Sequence, residues 1–171
     1  NLFAYTGAFT VAAIDGGAAS TTTVDVSRPA LRRAEHAIRS MSNDSDAHRL
    51  ACEDAFEWLR RAAKRGQRFD IAVLDPPSFA TTKRSRFRAA HDYHRVVAAT
   101  LRCLVPGGRL LACTNHRKIT PRQLQRAVVS GARDAGRALG EVQSLPPPID
   151  FPPHPERGPH LKTVLARLAD R

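Results

Sequence analysis

The chain has 171 residues, enough for one domain with a substantial hydrophobic core. Apolar residues make up 42% and charged residues 25% of the sequence, so a globular fold is expected rather than a disordered chain. The 27 Lys and Arg against 16 Asp and Glu give a net charge of +11, which favours a polyanionic partner such as RNA or DNA. A general arginine bias of the composition is the alternative explanation of this charge.

The cysteines and histidines do not form a metal-binding pattern. Cys52, Cys103 and Cys113 are scattered without a CxxC pair, which argues against a zinc site and against a disulfide scaffold. His91 and His94 lie at helical spacing but lack a carboxylate companion, so no metal is expected. The sequence shows no signal-peptide pattern and no apolar stretch of ~20 residues, so we expect a soluble, cytoplasmic protein without a membrane partner.

Apolar or β-branched runs alternate with helical patterns along the chain. The predicted strands are a stump at 1–3 followed by 20–26, 48–52, 69–74, 109–114, 142–145 and 161–168. One predicted helix follows the stump, and others begin near Ser27, Asp54, Tyr93 and Thr120. Apolar positions mark the helix that begins near Tyr93 as far as Leu104, and the helix that begins near Thr120 runs to about Leu139. Residues 81–88 and 146–159 are predicted to be loops. This alternation predicts an α/β fold with a mostly parallel sheet and helices on both faces.

Ligands of such sheets bind at the carboxyl ends of the strands, so the residues after each strand are the first candidates for a site. After the stump comes a turn with Gly7, and a glycine there lets the backbone approach a ligand closely. No GxGxxG pattern is present, which disfavours a dinucleotide. A plain strand-to-helix turn is the alternative.

Two carboxylates follow the next two strands. Asp25 comes about 20 residues after Gly7, where nucleoside-binding α/β proteins hold a ribose diol, although it could equally cap a helix. Asp54 could accept the amino hydrogens of an adenine while Ala55 or Phe56 lines its ring. Asp54 could also be a helix N-cap, and both roles can coexist.

The most specific pattern is the string Asp75-Pro76-Pro77-Ser78-Phe79 directly after an apolar strand. The two prolines fix the backbone and remove two N–H donors, so carbonyl groups can point outward. Phe79 offers a flat face on which a flipped-out base could stack. A strand-ending turn is the alternative interpretation.

Taken together, these strings resemble the catalytic domain of bacterial 23S ribosomal RNA methyltransferases of the 5-methylcytosine and 7-methylguanine types. The resemblance covers nearly the whole chain. It is carried, in order, by Asn1 to Phe9, Val24 to Ser27, Asp54 to Phe56, Asp75 to Phe79, Lys83, Tyr93, Pro106 to Gly108, Asn115 to Lys118, Pro155 to Gly158, and Leu161 with Lys162.

This resemblance implies a Rossmann-like class I methyltransferase sheet with an antiparallel last strand, and S-adenosylmethionine as the cofactor. It further implies a domain over residues 1–171, with the family's N-terminal part absent and only the end of the first strand present. The implied substrate is RNA, in particular 23S ribosomal RNA or its precursor. The implied cofactor-binding residues are Phe3, Tyr5, Thr6 and Gly7 for the methionine part, Asp25 and Ser27 for the ribose, Asp54 and Ala55 for the adenine, and Asp75 beside the methyl-bearing end.

The implied catalytic residues are Asp75, Pro76, Pro77, Phe79 and Asn115. The 5-methylcytosine members carry a nucleophilic cysteine just after the fifth strand, because C5 becomes nucleophilic only after addition at C6. Asn115 occupies that position here, and we expect Cys113 to be buried by strand alternation. A ring nitrogen of the guanine N7 type is therefore the expected target, with Asn115 orienting the base. Methylation of cytosine C5 stays open if Cys113 can turn into the site, and Asn115 could instead be a turn residue.

Basic residues around the site could bind phosphates. They are Lys83, Arg84, Arg86, Arg88, Arg117 and Lys118, and a solvated basic loop is the alternative for the first four. Two other classes of function also remain open. One is a non-catalytic RNA-binding module, disfavoured by the intact Asp75 and the intact turn at Gly7. The other is a small-molecule or protein methyltransferase, disfavoured by the basic loop.

Overall fold

The computed structural model describes residues 1–42, 44, 46–81, 86–149, 152–156 and 158–170, and the backbone alone of residues 80, 81 and 86. These residues form two compact units, residues 1–58 and residues 59–171. None of the helices in these ranges is both long and apolar enough to cross a membrane. Across the same ranges, no group of three His, Cys, Asp or Glu side chains is arranged to hold a metal ion.

The first unit has two parallel strands and the helices that precede and follow them along the chain. Its elements are α1 (Ala8–Asp15), β1 (Thr21–Asp25), α2 (Arg28–Met41), β2 (His48–Cys52) and the beginning of α3 (Ala55–Lys64). β1 and β2 pair in parallel, in the register Thr21 with His48. The predicted stump forms a single parallel bridge between Leu2 and Val24.

Local sequence explains why α2 begins and which face it buries. The Ser27 hydroxyl accepts a hydrogen bond from the backbone N–H of Ala30 at 3.3 Å, and Pro29 lies in the first turn. Residues three and four positions apart then form one apolar face, which is buried at Ala30, Leu31, Ala34 and Ile38. The predicted strand at 20–26 and the predicted helix that begins near Ser27 are confirmed here.

The second unit contains a four-stranded sheet with parallel and antiparallel pairs. Its remaining elements are β3 (Phe69–Leu74), β4 (Phe79–Thr81), β5 (Arg86–Arg88), α4 (Ala89–Leu101), β6 (Leu104–Thr114), α5 (Pro121–Ala135), β7 (Leu139–Leu145) and β8 (Lys162–Leu168). The strand order is β3-β6-β8-β7. β3 and β6 pair in parallel, and β8 runs antiparallel to both of its neighbours. The predicted Rossmann-like α/β fold with an antiparallel last strand is confirmed.

The strand predicted at 109–114 begins earlier than expected. β6 starts at Leu104, because Leu104 pairs with Phe69 and the Phe69 N–H donates to the Cys103 carbonyl oxygen at 2.9 Å. The register shifts before the next pair, Ile71 with Arg109, and Gly107 within the shifted stretch has a φ of 72°. The stretch before Arg109 is therefore an irregularity inside a longer strand. As a consequence, α4 ends at Leu101 rather than reaching Leu104.

The loop predicted at 81–88 and the end of α5 also differ from the structure. β4 and β5 pair antiparallel, with Phe79 opposite Arg88, because backbone hydrogen bonds need no apolar periodicity. α5 ends at Ala135 rather than near Leu139, since Gly136 takes the left-handed conformation with a φ of 65°. β7 consequently begins at Leu139, before the predicted Val142.

Helices α4 and α5 pack closely at Gly131. A Cβ placed on Gly131 would lie 2.6 Å from Val97 Cγ1 and 2.7 Å from the His94 carbonyl oxygen. Such distances are far below normal contact, and a backbone oxygen cannot rotate away. Gly131 therefore allows the two helices their present separation.

We expect Gly131→Ala to destabilise the chain by about 1–3 kcal/mol, because overpacking at a helix contact forces the backbone to shift. Urea unfolding would measure the loss, with the neighbouring Ser130→Ala as control. A gain in stability of about 1 kcal/mol, as intrinsic helix propensity alone predicts, would contradict this close packing.

Candidate functional site

In the first unit, the turn before α1 has an unusual backbone conformation. Phe3 and Tyr5 have φ values of 57° and 48°, which are rare for residues with a side chain, and Gly7 has a φ of 80°. A Cβ on Gly7 would lie 2.8 Å from the Cβ of Ala34 in α2. The glycine is therefore required both by its conformation and by the close approach of the turn to α2.

The Asp25 carboxylate stabilises this turn. Its Oδ2 accepts a hydrogen bond from the Tyr5 N–H at 2.8 Å, and its Oδ1 accepts one from the Ser27 N–H, also at 2.8 Å. A carboxylate oxygen has two lone pairs, so each oxygen keeps acceptor capacity for a ligand hydroxyl. Asp25 is half-buried at the carboxyl end of β1, where it can both organise the turn and meet a diol.

The other first-unit candidates surround the same strand ends. Tyr5 is 64% exposed, Phe3 and Thr6 are half-buried, and Ala55 is buried. Asp54 Oδ1 accepts the N–H groups of Phe56 and Glu57 at 2.9 and 3.2 Å. Asp54 is therefore an N-cap of α3, the alternative considered from the sequence, and a capping carboxylate can also accept a hydrogen bond from a ligand.

In the second unit, Tyr93 of α4 joins the carboxyl ends of β3 and β6. Its hydroxyl donates to the Cys113 carbonyl oxygen at 2.6 Å and lies 3.5 Å from the Leu74 carbonyl oxygen. Burial, followed by the neighbouring Cys113 and Asp75, raises the pKa of Tyr93 well above its ordinary value. The hydroxyl therefore keeps its proton and acts as a hydrogen-bond donor.

The string that begins at Asp75 directly follows one of these strand ends. Asp75 is half-buried, and burial raises its pKa. Pro76 is buried and Pro77 exposed. Phe79 is 68% exposed, with its ring centroid 5.8 Å from that of His116 and the two planes inclined by 56°. Most of the Phe79 ring is therefore open to a ligand.

The loop after β6 is supported by a buried lysine of β8. Lys162 Nζ donates to the carbonyl oxygens of His116 and His160, at 2.9 and 2.8 Å. Lys162 is 5% exposed, and burial lowers its pKa. The Thr114 hydroxyl accepts the His116 N–H at 3.2 Å, which fixes the preceding peptide group, between Asn115 and His116. The exposed Asn115 lies between these anchored residues.

Cys113 lies on the buried side of β6, as strand alternation predicted. Its side chain is 2% exposed. Burial, assisted by the nearby Asp75 and opposed by a hydrogen bond with Thr163, raises the pKa of Cys113 to about 12. The thiol is therefore protonated near neutral pH, whereas nucleophilic attack requires the thiolate.

The candidate phosphate-binding residues are only partly described. Lys83 and Arg84, and the side chain of Arg86, lie outside the described residues. Arg88 is exposed, and its backbone N–H donates to Asp92 at 2.9 Å. Arg117 and Lys118 are exposed in the loop that carries Asn115.

Sequence reasoning gave no role to the two side chains that support the second-unit site. Tyr93 marks a predicted helix and one point of the family resemblance, but its hydroxyl contact depends on tertiary packing. Lys162 did leave a signal, because it occupies the first position of the buried alternation Lys162, Val164, Ala166 and Leu168. A lysine in such a series must find polar partners inside the protein.

The sequence profile described as "S-adenosylmethionine-dependent methyltransferase" matches residues 1–167. The chain is 36% identical over 170 residues to ribosomal RNA large subunit methyltransferase I of Tolumonas auensis, covering 98% of the chain and 43% of that protein. It is 44% identical over 120 residues to ribosomal RNA large subunit methyltransferase K/L of Allochromatium vinosum, covering 69% of the chain and 16% of that protein.

A solved structure agrees with these sequence similarities. The crystal structure of SMU.776 complexed with SAH matches the chain with a TM-score of 0.85 and 31% identity. The match covers 98% of this chain and 44% of that one. The chain thus spans less than half the length of the relatives that match it almost throughout.

The buried thiol of Cys113 generates a prediction about pH. Its pKa rises from 9.0 to about 12 on folding, so the folded chain retains a proton that the unfolded chain loses. The free energy of unfolding should therefore fall by about 1.4 kcal/mol per pH unit between these two values. Unfolding curves recorded at several pH values should show that Cys113→Ala lacks this decrease in the free energy of unfolding with pH. Substitution of the exposed Cys52, as Cys52→Ala, serves as the control. An unchanged slope in Cys113→Ala would mean that the thiol is not buried.

Proposed function

The chain belongs to the S-adenosylmethionine-dependent methyltransferase family, and from that premise we propose that residues 1–171 form the catalytic domain of an enzyme that methylates a base of large-subunit ribosomal RNA. The observation that carries this proposal is the string at Asp75. It joins a half-buried carboxyl group, two prolines and the 68% exposed Phe79. A ribosomal RNA substrate would also place the activity in the cytoplasm.

The first unit has the chemistry to hold S-adenosylmethionine. The Asp25 carboxylate keeps acceptor capacity for two ribose hydroxyls, and Ser27 lies beside it. The turn from Phe3 to Gly7, with Tyr5 and Thr6 inside it, would line the methionine part, and Gly7 lets this turn pack closely against α2. The adenine would meet Asp54 and Ala55. The bound cofactor supplies a methyl group activated by its sulfonium.

The second unit has the chemistry to hold a base. The exposed ring of Phe79 can stack on a base drawn out of the RNA. Pro76 and Pro77 cannot donate to a strand ladder, and their carbonyl oxygens would accept hydrogen bonds from the base. The half-buried Asp75 would lie beside the methyl-bearing end of the cofactor. Arg88, Arg117 and Lys118, together with Lys83, Arg84 and Arg86, would contact phosphates.

For the methylated atom we propose a ring nitrogen of the guanine N7 type. Methylation at cytosine C5 needs a thiolate that adds to C6, whereas Cys113 is buried with a pKa of about 12. A ring nitrogen already has a lone pair and needs only orientation toward the methyl group. The exposed amide of Asn115 can donate and accept hydrogen bonds along the edge of a base.

Binding of S-adenosylmethionine tests the role of Asp25. Asp25→Ala should weaken binding by about 1–3 kcal/mol in calorimetry, because the hydrogen bonds to the ribose are lost. Glu35→Ala, on the surface of α2, is the control, and circular dichroism of both variants checks that they fold. Equal affinity in the unmodified chain and in a folded Asp25→Ala variant would remove Asp25 from the site.

Two substitutions and an RNA substrate containing 5-fluorocytosine test which atom is methylated. Asn115→Ala should lower kcat/KM for methyl transfer to unmodified large-subunit ribosomal RNA by on the order of 10²-fold or more, because the base loses its orientation. Cys113→Ala should lose little activity. RNA containing 5-fluorocytosine should give no covalent adduct. An adduct that disappears in Cys113→Ala would instead establish the cysteine-dependent reaction at C5.

A further inference from the structure

Helix α5 presents an outward face that carries three arginines. Arg122, Arg126 and Arg133 are exposed, whereas the opposite face is buried at Leu124 and Val128. The arginines line a shallow groove of about 490 Å³, together with Gln125, Val129 and Ser130. The described residues that line this groove include no carboxylate, so all of them are positive or neutral.

The guanidinium groups of this face have almost no partners among the described residues. Arg122 and Arg126 form neither hydrogen bonds nor ion pairs within those ranges, and Arg133 meets only the Ser130 hydroxyl, at 3.4 Å. Two arginines close to the ends of α5 behave differently. Arg102 donates to the Asp134 carbonyl oxygen at 2.7 Å, and Arg137 donates to that of Leu104 at 3.1 Å. Those two arginines bind backbone within the fold, whereas the groove arginines are available to a ligand.

A second groove, in the first unit, also carries arginines and serves as the comparison. It is lined in part by Arg28, Arg32 and Arg39 of α2, but it also contains Glu35. Glu35 pairs with Arg39 at 2.6 Å, which neutralises part of its charge. The α5 groove differs from it because, among the described residues, its lining includes no acidic side chain.

The position of the α5 groove connects it to the proposed base site. Arg117 and Lys118 follow Asn115, and Thr120 then caps α5 in a capping box with Gln123. At a rise of ~1.5 Å per residue, Arg126 lies ~6 Å beyond Arg122 along the helix, and Arg133 ~10 Å further. A series of positive charges therefore leads from the loop of Asn115 along the outer face of α5.

We propose that the outward face of α5 binds the phosphodiester backbone of the RNA that flanks the methylated base. This inference rests on the proposed function, since it names the surface that would hold the substrate of that reaction. Guanidinium groups bind phosphate oxygens through paired N–H donors. Val129, which is 50% exposed between the arginines, gives a sugar or base an apolar surface. The face contributes affinity for RNA and no group to the chemical step.

The test compares two variants that lose the same formal charge. One is Arg122→Gln with Arg126→Gln and Arg133→Gln, and the matched control is Arg28→Gln with Arg32→Gln and Arg39→Gln. Filter binding of unmodified 23S ribosomal RNA at several salt concentrations gives the slope of log K against log salt. Three lost phosphate contacts should reduce the steepness of this slope by about 2 in the α5 variant. The control variant should keep the slope of the unmodified chain.

Methyl transfer distinguishes a failure of this inference from a failure of the proposed function. The α5 variant should raise KM for RNA by about tenfold or more at a nearly constant kcat, with unchanged S-adenosylmethionine binding. If the unmodified chain neither binds nor methylates RNA, both proposals fall. If it does both and the α5 variant behaves like the control, only the α5 surface is wrong. Binding of polyglutamate that is lost in the α5 variant, while RNA binding persists, would point to an acidic protein partner and overturn the RNA assignment.

Discussion

The hydrogen bond from the Tyr93 hydroxyl to the Cys113 carbonyl oxygen is the contact on which the second-unit site depends. It holds the last residues of β6 beside the end of β3. Asp75 directly follows β3, and Asn115 directly follows β6. The bond is short, at 2.6 Å, and its donor is buried, so water cannot compete for it. The high pKa of Tyr93 keeps the donor protonated over the physiological range.

Burial sets the protonation of several groups around these strand ends. It raises the pKa of Cys113 and Asp75 and lowers that of Lys162, in each case because the charged form loses hydration. The roles of these buried groups differ with the hydrogen-bond partners available to each. Lys162 donates to two backbone carbonyl oxygens and supports the loop of Asn115, whereas Cys113 is a neutral packing residue. The partners available, rather than burial itself, therefore distinguish the supporting role of Lys162 from the packing role of Cys113.

The excess positive charge has more than one role in this protein. Arg102 and Arg137 bind backbone carbonyl oxygens near the helix ends, and Arg39 pairs with Glu35. The arginines on the outer face of α5 have neither kind of partner within the described residues. Net charge alone therefore suggests a polyanionic ligand but cannot indicate where it binds. Among the described residues, the α5 face combines arginines that lack a charged or backbone partner with a groove whose lining holds no carboxylate.

Local sequence by itself determined the alternation of strands and helices, the caps at Ser27 and Thr120, and the strings whose resemblance led to the methyltransferase family. These features depend on neighbours within a few residues, so patterns reveal them. Only tertiary structure decided that β6 begins at Leu104, that β4 and β5 pair, that Tyr93 joins two strand ends, and that Lys162 supports the loop of Asn115. Each of these contacts links residues distant in the chain, and its energy depends on burial and on partners that no local pattern specifies.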